Sequence, residues 1–284
     1  MKKNTEKFIT IFLFLILIAG VFLLLYPSAS NYWNSLHQSK AIATYAEEVT
    51  AIDNNTYEQL WVDAQAYNQT LVGKNGRYQF TDEELAEQQK LLNVSGNGII
   101  AYIEIPAIQC SLPVYHGIDK AVLQIAAGHI AGTSLPVGGE STHCVISAHS
   151  GLPSAKLFTD LDKLVIGDSF IIRVLDEVLT YEVDQIRIVL PNEIDDLKIE
   201  DKKDYFTLVT CTPYGINTHR LLVRGHRIEN QAEAQSIRVM ADAIQIEPLL
   251  VAPIVAVPML LILFIYLLLP KWPQKFEANS DETI

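Results

Sequence analysis

DSFIIRVLDEVLTYEVDQIRIVL, residues Asp168 to Leu190, carries apolar residues at alternate positions on both sides of Asp176-Glu177. Side chains on a strand point to opposite faces with a period of two, so this pattern predicts a hairpin with one buried face. Ile99-Ile-Ala-Tyr-Ile-Glu-Ile105 is rich in β-branched residues and stops at Pro106; Val145–Ala148, Tyr205–Thr210 and Leu221–Ile228 read as further strands. Many short strands with turn signals and little helix between them predict a mainly β domain, a closed barrel or a sandwich.

Ahead of this domain, residues 32–71 are polar with apolar positions at helical spacing (Ile42, Tyr45, Ala46, Val49, Ile52, then Tyr57, Leu60, Trp61), which predicts one or two amphipathic helices, with a solvated stalk as the alternative for the first half. Residues 72–92 turn to Gly, Asn, Asp, Glu and Gln. Within them Thr81 and Glu84 stand at capping-box spacing before Leu85, predicting a loop and a short helix.

Two uncharged apolar runs, Phe8–Tyr26 and Leu249–Leu269, lie outside the β domain. As helices rising 1.5 Å per residue they would each reach about 30 Å, the thickness of a bilayer core. Lys2, Lys3 and Lys7 precede the first run, and Lys271 and Lys275 follow the second. Both termini therefore read as cytoplasmic, with the intervening chain on the outer face of the cell membrane. A cleavable signal peptide is the competing reading of the first run, because Ser28-Ala29-Ser30 resembles a cleavage site. The expected organisation is a tail and anchor at 1–26, a helical segment at 27–94, the β domain at 95–229, a linker at 230–248, a second span at 249–269 and a tail at 270–284.

The net charge of −12 excludes the basic face that nucleic-acid binding requires. Three cysteines, Cys110, Cys144 and Cys211, leave at least one thiol unpaired in a compartment that permits disulfides. Cys110 and Cys144 read as small buried residues. His143, Cys144 and His149 fit no usual zinc spacing, so no metal and no cofactor is expected. His116 and His129 are expected to hydrogen-bond in loops around the cleft.

The residue types needed for thiol acyl transfer stand at strand ends: Cys211 closes Tyr205–Thr210, His149 follows Val145–Ala148, and Arg220 opens the last strand. A thiolate attacks, an imidazole moves protons, and a guanidinium stabilises an oxyanion. His219 is a weaker competitor for the acid.

The run Thr207-Leu-Val-Thr-Cys211-Thr-Pro-Tyr-Gly215-Ile-Asn-Thr-His-Arg220 resembles the active-site signature of sortases, and its Thr-Pro-Tyr-Gly tail resembles the class C, or pilus-building, branch. Residues Asn93–Gly98, Leu112–Gly117, Gly128–Gly139 and the histidine block His149-Ser-Gly-Leu-Pro-Ser-Ala-Lys-Leu-Phe158 resemble the same family, so the likeness runs from about Leu92 to Ile228. It implies an eight-stranded β-barrel with an N-terminal helical extension and two transmembrane helices. It also implies Cys211 as nucleophile, His149 as general acid and base, and Arg220 as oxyanion or substrate stabiliser. The implied partners are LPxTG-type surface proteins or pilin subunits. Such a signal would be cleaved through a thioacyl enzyme and passed to an amine, commonly a pilin lysine. Attachment of single proteins to peptidoglycan, hydrolysis by the same residues, and a non-catalytic surface scaffold are the alternatives.

Two departures stand out. Ser150 follows His149 where the family usually has an arginine. Class C members often carry a lid anchored by Asp-Pro-aromatic, and residues 27–92 contain no Asp-Pro; the lid is absent, shortened, or anchored by other residues such as Tyr78 to Asp82. Free thiols and imidazoles titrate near about 8.5 and 6.5, so a cysteine–histidine pair is mostly neutral at pH 7 and turnover is expected to be low.

Overall fold

The computed structural model describes residues 2–230. The second apolar run, the rest of the linker ahead of it and the C-terminal tail lie outside the described residues. Among the described residues one helix is long and apolar enough to cross a membrane: α1, Lys2–Ala51, which contains the first apolar run. Residues 29–230 belong to a compact unit of their own.

Eight strands build that unit: β1 (Ile99–Ile105), β2 (Cys110–His116), β3 (Ala127–His129), β4 (Thr142–Ser147), β5 (Ser169–Val174), β6 (Glu177–Val189), β7 (Asp204–Thr212) and β8 (His219–Ile228). They close in the order β1-β2-β3-β4-β7-β8-β6-β5, and β1 completes the ring by pairing with β5. The barrel is mixed, since β2–β3 and β4–β7 are parallel pairs. Closure leaves no edge strand to template aggregation.

The predicted hairpin is β5–β6, antiparallel from Val174↔Glu177 to Ser169↔Glu182. Its turn is Leu175-Asp176, one residue earlier than the sequence pattern indicates, with Leu175 at φ +52°. Inside the barrel Phe170 stacks on Tyr181 at 5.6 Å between ring centres, and both contact Phe206. Tyr181 Oη donates to Asp204 Oδ1 at 2.9 Å, which meets the one polar need of this aromatic cluster.

The stretch expected to be one or two helices is two. Asp53 breaks it, its carboxylate accepting from the Asn55 and Thr56 amides to cap α2 (Asn54–Leu71). The helix before the break packs onto the barrel rather than forming a solvated stalk. Tyr45 is fully buried, and its hydroxyl donates to Ile100 O at 3.1 Å while accepting from Leu175 N at 2.8 Å. From α2, Asn68 bonds both ways to Leu135. The capping box at Thr81 and Glu84 is formed and opens α3 (Asp82–Gln88).

His116 and His129 are buried strand residues paired between β2 and β3, not loop residues at the cleft. His116 contacts Leu91 O and His129 contacts Ser134 O, so their role is to tie loops to strands. Cys144 is buried on β4, Cys110 is part-buried at the start of β2, and all three cysteines are free.

Candidate active site

Cys211 sits one residue from the end of β7, and Arg220 is the second residue of β8. The two are directly paired across the antiparallel ladder. Paired residues on neighbouring strands project from the same face with Cβ atoms about 5 Å apart. Arg220 Nη1 donates to the carbonyls of Asn217 (3.2 Å) and His219 (3.0 Å), fixing the guanidinium at the mouth of the β7–β8 turn. Its remaining N–H groups leave it able to bind an anion.

His149 lies two residues beyond the end of β4. The parallel register pairs Ser147 with Val209, two residues before Cys211, so β4 delivers His149 to the level of the thiol. Two bonds hold it there. Ala148 N donates to Val209 O at 3.1 Å, and Thr210 Oγ1 donates to Ala148 O at 2.8 Å. The backbone then folds back, with Phe158 N donating to His149 O at 3.1 Å. Burial lowers the His149 imidazole below its ordinary pKa. All three predicted residues thus converge at one end of the barrel, each only partly exposed. His219 pairs opposite Thr212 and its Nδ1 contacts Thr218 Oγ1.

The face bearing Cys211 and Arg220 continues upstream as an apolar floor of Val145, Val209 and Leu222, covered by Leu197 and Ile130. The covering loop after β6 is pinned by His143, whose ring is enclosed. A carbonyl can only accept, so Nδ1–H donates to Lys198 O at 2.7 Å; Nε2 must then accept from Thr207 Oγ1, also at 2.7 Å. Both ring nitrogens are used in the neutral form, which leaves neither for a metal.

The 72–82 segment spans the two loops flanking this floor. The Arg77 guanidinium donates to Leu197 O, and the Arg77 carbonyl lies over Gly132. A Cβ on Gly132 would come within 2.1 Å of that oxygen, so only glycine admits the segment at this point. The contacts run through Arg77 and Tyr78, and no residue of 72–82 lines the pocket at Cys211.

That pocket, about 50 Å³, is lined in part by Cys211 and lies between the loop after His149 and the β7–β8 turn, with Thr210 and Leu221, which face the barrel core, in its wall. Its walls include Ser150, Thr159, Asp162, Thr212 and Tyr214. Gly151, at φ +80°, lets the Tyr214 ring close over the histidine loop, since a Cβ there would meet the ring at 2.9 Å. A larger cavity of about 420 Å³ lies between α2 and the loop before β4, and none of the three chemistry-bearing residues lines it. Sequence reasoning did not single out Thr159 or Asp162. They follow the His149–Phe158 block, and only the fold-back after His149 shows that this part of the chain lines a pocket together with Cys211.

A family model described as the sortase domain matches residues 103–228. The crystal structure of sortase C1 from Streptococcus agalactiae is 48% identical, with a TM-score of 0.66 over 68% of this chain and 100% of that one. Sortase C from Clostridium perfringens, solved with the C-terminal cell wall sorting motif, is 45% identical, with a TM-score of 0.60 over 68% of this chain and 100% of that one. Among curated proteins, Sortase A of Streptococcus agalactiae is 29% identical over 135 residues, 46% of this chain and about half (53%) of that protein. A barrel that sets a thiol, an imidazole and a guanidinium on adjoining strand ends, and that matches solved sortases over their whole length at nearly half identity, places this chain in the sortase family of cysteine transpeptidases, within its class C branch.

Proposed function

We propose that the protein is a membrane-anchored transpeptidase that cleaves an LPxTG-like sorting signal and joins it to an amine, a pilin lysine, to polymerise pili. The observation that carries this reading is the direct pairing of Cys211 with Arg220, with His149 delivered beside them by β4. The Cys211 thiolate attacks the threonine carbonyl of the signal, and Arg220 stabilises the oxyanion. The Thr–Gly bond breaks as His149 gives its proton to the departing amine. An incoming ammonium loses one proton to water and attacks the thioester as the free amine. Its second proton goes to His149, and the thiolate is restored.

Burial of His149 lowers its imidazole below the ordinary value and so shrinks its imidazolium share at neutral pH, which supports the expected low turnover. Phe8–Tyr26 serves as the anchor, and residues 95–229 are the catalytic domain, held outside the cell. In the expected topology the second apolar run returns the chain, so that both termini are cytoplasmic.

The test is to mix the full-length chain in detergent with an LPxTG-type peptide and look for a thioacyl adduct on Cys211 by intact mass. Adding a lysine-bearing acceptor should then release a joined product. Peptide joining that survives Cys211→Ala would refute the reading.

A further inference from the structure

Over residues 31–40 of α1 only Asn31, Asn34 and Gln38 are part-buried, and every other residue is exposed. At i, i+3 and i+7 the three stand on one face, which Ala41, Tyr45 and Val49 continue onto the barrel core. A stripe that served only to exclude water would be apolar. These amides instead bond main-chain atoms of two loops. Gln38 Nε2 donates to Ile125 O at 2.7 Å. Asn34 Nδ2 donates to Ser154 O at 2.7 Å, and Asn31 Oδ1 accepts from Lys156 N at 2.7 Å.

Ser154 and Lys156 belong to the loop that begins at His149, and further bonds lead back from them to the histidine. Lys156 O accepts from Thr159 N at 2.9 Å and from the Thr159 hydroxyl. That hydroxyl oxygen accepts in turn from Gly151 N at 3.1 Å, two residues after His149, while Phe158 N closes the loop on His149 O. Residues 150–158 hold no strand or helix, only a Leu152–Ala155 bridge, so the shape of the loop depends on partners outside it.

We propose that Asn31 and Asn34 are positioning residues for His149: the helix ahead of the barrel holds the histidine loop from outside and so fixes where the imidazole stands relative to the Cys211 thiol. The proposal rests on His149 acting as the acid that protonates the departing amine. The two amides have opposite duties. A backbone N–H can only donate and a carbonyl can only accept, so Asn31 serves as acceptor and Asn34 as donor. A carboxylate can replace the first and not the second.

The test compares two substrates of the full-length chain in detergent: a sorting-signal peptide with its Thr–Gly amide, and the same signal as a threonine aryl thioester, whose thiolate leaves without a proton. Only the amide needs the acid. His149→Ala sets the scale and should collapse the amide-to-thioester ratio of kcat/KM. Asn34→Asp sets a carboxylate against the Ser154 carbonyl and should lower that ratio about tenfold, the effect of one lost hydrogen bond transmitted to the acid. Asn34→Ala and Asn31→Ala, which lose the bonds without adding charge, should lower it in the same direction. Asn31→Asp keeps the acceptor and should hold the ratio within about twofold of wild type. Asn and Asp have nearly equal helix propensity, so the paired swaps leave α1 itself unchanged. An equal loss on both substrates, the mark of a merely structural role, would overturn the positioning role. So would a ratio left unchanged by Asn34→Asp and Asn34→Ala, or lowered equally by the two Asp variants. A ratio unmoved by His149→Ala would instead bring down the acid assignment, and absence of any wild-type adduct the thioacyl reading, with the positioning role falling in either case.

Discussion

Acidification to pH 5.5 should weaken the fold through two enclosed imidazoles, His143 and His129. Burial holds them down to about 4 and about 3, against an ordinary value of 6.5. Each is neutral in the folded protein at both pH 7.5 and pH 5.5, whereas in the unfolded chain each takes up a proton as the pH falls through 6.5. The unfolded state thus binds more protons over this window, and stability drops with pH. One pH unit of such uptake is about 1.4 kcal/mol per group, so the pair should cost close to 3 kcal/mol between pH 7.5 and pH 5.5. That is a large share of the roughly 5–15 kcal/mol that separates folded from unfolded domains.

Other groups modify the figure without changing its sign. His116, also lowered by burial, adds to the loss. Asp204, raised by burial, gains stability on acidification and opposes it. The carboxylates Asp53, Asp160 and Asp195 are lowered from the ordinary range, so their contribution is lost only at still lower pH. Urea unfolding of the full-length chain in detergent, followed by intrinsic tryptophan fluorescence at the two pH values, measures the difference. His143→Gln supplies an amide with a donor and an acceptor but no proton to take up, and should remove about half of the pH dependence. Equal stability at both pH values, within about 0.5 kcal/mol, would refute the neutral tautomer assigned to His143 and the enclosure of His129.

Tyr45→Phe should destabilise the domain by about 1–3 kcal/mol in the same denaturation assay, because it leaves the amide of Leu175 and the carbonyl of Ile100 without their buried partner. A change below about 0.5 kcal/mol would mean that the helix before Asp53 is not fixed to the barrel through this hydroxyl. Arg220→Lys keeps the charge but loses the planar fork, and should lower kcat/KM for signal cleavage by at least about tenfold; full retention of activity would assign the oxyanion to another donor.

The barrel was legible in the sequence where one face of a strand is buried. A period of two over 168–190 and the β-branched run 99–105 can satisfy their burial in few other ways, and both became barrel strands. The parallel pairing of β4 with β7 was not legible, since periodicity says which face is buried and nothing about which strand lies alongside. Yet that pairing matters most at the site. It converts His149 and Cys211, 62 residues apart in sequence, into neighbours at one strand end. The same reasoning separates what could be read from the histidine block and what could not. A histidine after an apolar run signals its own candidacy, because its side chain carries the chemistry. Thr159 and Asp162 look like any surface polar residues, and only the return of the chain from His149 through Phe158 sets them around the pocket that Cys211 also lines.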